Sequence, residues 1–208
     1  FLFAFKRQKS TLFGEVYTTL LNNREQTEWA NLKKAFEDLS KKYHEGDFIR
    51  KEDVILVYLS SHGEAGYSRI DKRDFFRIQC SDYDLNYPKS TCLDYKEDII
   101  KVLKPIPCKK FLFIDACQSG AIRMVDAGSK GASPQQNLTN AILKLMSEQS
   151  VLKSLVSCGD GELSYEDPKW GNGAFTEAIL EGLRNEKVKI KDGSISADFD
   201  DDNIITMD

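Results

Sequence analysis

Histidine is scarce in this chain. Its 208 residues hold two, His44 and His62, so chemistry that needs an imidazole has almost no choice of residue. Positive charge is not in surplus either. Lys and Arg number 29 against 33 Asp and Glu, giving a net charge of −4 and a pI near 5.4. That excludes the basic footprint of a nucleic-acid-binding domain. No apolar run approaches the ~20 residues that span a bilayer. The opening FLFAFKRQKST is apolar first and basic second, the reverse of a secretory signal. The five cysteines, Cys80, Cys92, Cys108, Cys117 and Cys158, are odd in number, irregularly spaced and without a C-x-x-C pair. A disulfide framework or zinc knuckle is therefore excluded, and a reducing, cytoplasmic setting is expected.

What is present suits one globular α/β domain, with 41% hydrophobic and 30% charged residues. TLFGEVYTTLL (11–21) reads as a strand. From 24 to 45 the apolar residues Trp29, Leu32, Phe36, Leu39 and Tyr43 recur at helical spacing, with Gly46 placed to end the helix. His44 then reads as a helix-end cation. DVILVYLSSHG (53–63) and KKFLFIDAC (109–117) are apolar without alternation, as in a sheet covered on both faces. Between them, FFRIQCSDYDL suggests a short strand or hairpin, and YKEDIIKVLKP a helix ended near Pro105. NLTNAILKLMSEQ reads as a helix, VLKSLVSC as a strand and GAFTEAILEGLRN as a helix. This alternation predicts a mostly parallel, doubly wound sheet. The stretch 123–136 is a small, polar loop, and the tail from Asp192 carries six Asp and no Lys or Arg. The sequence reads as a piece of a longer polypeptide.

In a parallel sheet, sites form beyond the carboxyl ends of the strands. His62 and Cys117 each follow such an end. Taken alone, Cys117 fits an inert buried thiol and His62 a turn residue. Together on neighbouring strands they fit a nucleophile and the imidazole that generates its thiolate. The amides of Gly63 and Cys117 are the natural donors to an oxyanion. Cys80, Cys92, Cys108 and Cys158 read as structural, with Cys80 and Cys92 exposed on loops.

YLSSHGE and FIDACQSG, each ending a buried strand, resemble the two catalytic motifs of the caspase-like cysteine peptidases, and most closely bacterial metacaspase-like or paracaspase-like members. SLVSCGDGELSYED followed by GNGAFTEAILEGL is similar to that family's substrate-pocket strand and penultimate helix. ADFDDDNIITMD resembles the acidic turn before its final helix. The resemblance covers about residues 11–208. It departs at both ends: the family's first strand has no clear counterpart before residue 11, and its final helix is absent.

The resemblance implies a three-layer α-β-α fold with a mostly parallel central sheet, one domain over 1–208. A large-subunit-like part runs to about 123 and a small-subunit-like part from about 137, with the flexible loop between. It implies an endopeptidase with a His62–Cys117 dyad and an oxyanion hole of the Gly63 and Cys117 amides. Asp115 stands where caspases carry a neutral Gln and where metacaspases and paracaspases, which cut after Arg or Lys, carry an acid. With Ser157 and Glu162 on the pocket segment, it implies a basic P1 residue in a protein or peptide substrate. Related enzymes are cut within the interval that holds Arg123 and Lys130, and are activated through partner domains of a longer chain.

No membrane and no direct nucleic-acid contact are implied. No metal site or cofactor is required, with calcium open as an activator because metacaspases often need it. Asp198, Asp200 and Asp202 alternate as in a calcium loop. Asn203 stands where that loop needs Gly, and the chain ends before its last ligand, so a solvated turn fits better. The rival reading is a non-catalytic homologue that acts by association, which would gain nothing from keeping both His62 and Cys117.

Overall fold

The computed structural model describes residues 6, 13–44, 48–68, 70–117, 152–157, 166–168, 171–184, 188–190 and 193–198. They belong to two compact units, Leu21–Ser164 and Phe1–Leu20 with Tyr165–Asp208.

The first unit is built on five strands: β1 (Val54–Ser68), β2 (Arg73–Gln79), β3 (Cys92–Asp94), β4 (Lys109–Cys117) and β5 (Leu152–Val156). Their order is β3-β2-β1-β4-β5. β4 pairs in parallel with both β1 and β5, whereas β2 is antiparallel to β1 and to β3. Four of the five strands therefore run the same way, and the mostly parallel α/β sheet is as the sequence predicts. β1 and β4 stay in step from Val54↔Lys109 to His62↔Cys117. β1 then runs on from Gly63 to Ser68, paired with β2. His62 thus lies inside β1, not after its end. The physical reason is that residues 64–68 find a partner in RDFFR of β2 (73–77), so the strand does not stop where its parallel neighbour does.

Helical segments also belong to this unit. α1 spans Trp29–His44. α2 is π-helical at Tyr95–Ile100 and α-helical at Lys101–Leu103, just short of Pro105. The Asp94 carboxylate caps α2 by accepting from the amides of Lys96 and Glu97, both at 3.0 Å. α1 begins at Trp29, the first residue of the apolar spacing, and not at the expected 24, because residues 23–28 form turns and bends. Its first amide, on Trp29, donates to Asp82 Oδ1 at 2.9 Å.

One core unites Phe36 of α1, Tyr95, Ile99 and Leu103 of α2, and alternate strand residues: Ile55, Val57 and Leu59 of β1, Leu112, Ile114 and Ala116 of β4, and Leu152 and Val156 of β5. The period-two pleat puts Tyr58, Ser60, His62 and Asp115 on the opposite face. TLFGEVYTTLL does not form the expected strand. Among its described residues only Phe13 makes an isolated bridge, and Tyr17 and Leu20 are 73% and 57% exposed. β-branched and aromatic residues favour a pleated, half-buried surface, and most of the described residues of this segment are exposed instead.

In the second unit, β6 (Glu166–Asp167) and β7 (Asn172–Gly173) form a short antiparallel pair ahead of α3 (Ala174–Leu183). Gly171 turns between them at φ 69°, a conformation that favours glycine. β8 (Val188–Ile190) and β9 (Gly193–Ile195) make a second small hairpin. The expected loop at 123–136, the expected helix at 137–149, and Glu162, Asp200 and Asp202 lie outside the described residues. Among those described, no helix is long and apolar enough to cross a membrane.

Candidate active site

The ends of β4 and β5 meet the middle of β1 at one edge of the parallel ladder. On β4, Asp115 is 6% exposed and stands opposite Ser60, and Cys117, the last residue of the strand, stands opposite His62. Beyond β5, the amide of Ser157 donates to the Ile114 carbonyl at 3.0 Å. This carries the β4–β5 ladder one residue past Val156 and brings Ser157 level with Asp115. The carboxyl ends of parallel strands are where open α/β sheets build sites. His62, Gly63, Asp115, Cys117 and Ser157 are therefore brought together by the backbone. Glu162 lies outside the described residues.

The two residues of the HisGly pair have opposite environments. His62 is exposed and Gly63 is buried. A Cβ on residue 63 would lie 3.0 Å from Phe76 Cε2 and 3.3 Å from Ala116 Cβ. Only glycine lets β2 and β4 close on β1 at this point, one residue before Cys117. That explains why a glycine follows the histidine, independently of what its amide donates to.

The remaining described cysteines are poor nucleophiles. Cys80, Cys92 and Cys108 are free thiols, 6%, 1% and 0% exposed. The expectation that Cys80 and Cys92 sit exposed on loops is corrected. Cys92 is a residue of β3 and Cys80 follows β2, both turned into the protein by the antiparallel strands. Burial, reinforced by nearby carboxylates, pushes both thiols up to about 12, and burial raises Cys108 as well. A thiol held protonated neither attacks a carbonyl nor binds a metal. Among the described residues no three His, Cys, Asp or Glu side chains gather as a metal site.

Sequence reasoning passed over a charged cluster on the His62 face of the sheet. Arg77 Nη1 donates to Glu64 Oε1 at 3.0 Å, and Arg77 Nε lies 4.0 Å from Asp94 Oδ2. Arg73 Nη2 donates to the same Asp94 oxygen at 3.1 Å, and the Arg77 guanidinium lies 4.1 Å from the Phe75 ring centroid. The signal was there to read. Arg77 interrupts FFRIQ between two apolar residues, and Glu64 directly follows the HisGly pair.

A family model described as Caspase domain (Peptidase_C14) matches residues 11–197. No curated protein and no solved structure matches the chain.

Proposed function

The chain belongs to the caspase domain family, and from that premise we propose that it is a cysteine endopeptidase of the metacaspase or paracaspase branch, cutting protein substrates after Arg or Lys. The observation that carries the reading is the parallel register of β1 and β4, with His62 opposite Cys117 where β4 ends.

His62 takes the thiol proton, and the Cys117 thiolate adds to the scissile carbonyl carbon. The carbonyl electron pair moves to oxygen, where the amides of Gly63 and Cys117 stabilise it. Collapse breaks the C–N bond, and the departing amine takes its proton from His62. Water, deprotonated by His62, then cleaves the thioester and the thiol is restored. No step needs a metal ion or cofactor, and calcium would act on loop arrangement and not on the chemistry.

Asp115 supports the basic P1 preference. A carboxylate this buried is costly to keep out of water, and a guanidinium offsets that cost through two parallel hydrogen bonds. Ser157 and Glu162 complete the pocket in this reading. Activity is switched on in the cytoplasm by partner domains of a longer chain, with self-cleavage at Arg123 or Lys130.

The test is a fluorogenic peptide panel differing only at P1 (Arg, Lys, Asp, Leu), with and without calcium, against Cys117→Ala. Arg or Lys cleavage that the variant abolishes supports the proposal. Asp cleavage overturns the specificity while keeping the mechanism. An inactive wild type in every arm shifts the reading to a module that works by association or to an enzyme awaiting its activating partner.

A further inference from the structure

We infer that the Glu64–Arg77 ion pair, anchored on Asp94, positions the His62–Gly63 corner of β1 against the end of β4. The inference rests on the peptidase reading above and adds two positioning residues to it.

β4 holds β1 only as far as His62↔Cys117. From Gly63 onward β1 is held by β2, beginning at Gly63↔Ile78 and Glu64↔Arg77. The placement of His62 and of the Gly63 amide relative to Cys117 therefore depends on the first two rungs of the β1–β2 pairing. The first rung carries no side chain on β1. It is a packing contact, with Phe76 and Ala116 closing on the bare Gly63 backbone. The second rung is the ion pair, on the same face of β1 as His62 and two residues along.

That pair is tied to rigid parts of the unit. Its side chains are only 8% (Arg77) and 22% (Glu64) exposed, and the Tyr83 hydroxyl also reaches Glu64 Oε2 at 3.4 Å. Arg77 stacks on Phe75 and approaches Asp94 of β3, which itself caps α2 and accepts from Arg73. A planar guanidinium held on three sides fixes its carboxylate partner in direction as well as distance. Two apolar residues would stabilise a sheet here as well as a buried ion pair does, or better. What the ion pair adds is a defined register beside the reacting groups, where sub-ångström misplacement is felt in the transition state.

The experiment uses Glu64→Gln, Arg77→Met, Arg77→Lys and the Glu64→Gln/Arg77→Met double variant. Active sites are titrated with an irreversible peptidyl ketone carrying the preferred P1 residue, and kcat is expressed per titrated site. We expect kcat to fall about tenfold in Glu64→Gln and Arg77→Met with KM within about twofold of wild type. Arg77→Lys should recover most of the loss, and the double variant should fall no further than Arg77→Met.

An unchanged kcat per site in Glu64→Gln and Arg77→Met overturns the inference, even if melting temperatures drop, because a structural role alone lowers the number of active sites and not their turnover. If Arg77→Met does not fold, Glu64→Gln, which keeps the shape, decides. If wild-type protein cleaves no peptide, either its activating partner is missing or the peptidase reading is wrong, and neither bears on the positioning. Amide hydrogen exchange over residues 61–66 then decides the positioning: faster exchange in Glu64→Gln supports it, and wild-type exchange overturns it.

Discussion

At the scale of single residues, Gly63 and the buried thiols make the sharpest predictions. Adding a Cβ at Gly63 forces the Phe76 ring or Ala116 to yield, since the contacts would be 3.0 and 3.3 Å. Gly63→Ala should cost about 1–3 kcal/mol of stability, measurable by chemical denaturation, and should lower kcat because Ala116 adjoins Cys117. The thiols add a pH dependence with a definite sign. Cys80 and Cys92 are raised from the ordinary 9.0 to about 12 in the folded protein. Above pH 9 the unfolded chain loses these protons while the folded protein keeps them. Their contribution is thus intact below about pH 9 and is lost as pH rises towards 12, by up to about 1 kcal/mol per pH unit for each thiol. Cys92→Ala should flatten the fall of unfolding free energy between about pH 9 and 11 relative to wild type. An equal slope in the two proteins would refute the assignment. Neither feature was legible beforehand. FFRIQCSDYDL shows a cysteine beside polar residues, and only the pairing of β2 with β3 turns that segment inward.

At the scale of elements, the strands and helices with two-sided or periodic apolar patterns were legible, and their limits were not. The spacing from Trp29 to Tyr43 specifies α1, yet where α1 starts is set by Asp82, 53 residues away, which accepts from the Trp29 amide at 2.9 Å. Asp82→Ala should lower stability by about 1 kcal/mol, read as a drop of roughly 2–4 °C in melting temperature, and Asp82→Asn should restore most of it. The segment 11–21 carries the same β-forming residues as true strands and remains without regular pairing among its described residues. Propensity is a preference for a surface, and the surface has to be supplied by another strand. β1 fails in the other direction. The apolar run ends near His62 and Gly63, but the hairpin with β2 extends the strand to Ser68.

At the scale of the whole molecule, charge should govern how substrate arrives. In the proposed reading, the net charge of −4 and the buried Asp115 both favour a cationic peptide. With Arg at P1, kcat/KM should fall by roughly twofold to fivefold between about 0.05 and about 0.5 M salt, while a Leu-P1 peptide shows little change. Asp115→Asn should cut kcat/KM for the Arg peptide by at least about a hundredfold, while circular dichroism and melting temperature remain near wild type. Loss of activity with a collapsed melting transition would instead assign Asp115 to the framework of the sheet.

The sequence by itself determined the α/β class, the apolar character of the two central strands, and the identity of the histidine and cysteine that end YLSSH and FIDAC. Those properties are local: composition, apolar period and residue order are complete within a few residues of chain. Only the tertiary structure decided that β1 and β4 run in step, so that His62 faces Cys117 across one rung. It also decided that Gly63 is packed between Phe76 and Ala116, and that Arg77 meets Glu64 and Asp94 on the same face. Each of these depends on the registry of strands far apart in the chain. Registry is chosen by which face the whole sheet buries, because a slip of one residue would turn every side chain of a strand to the other side.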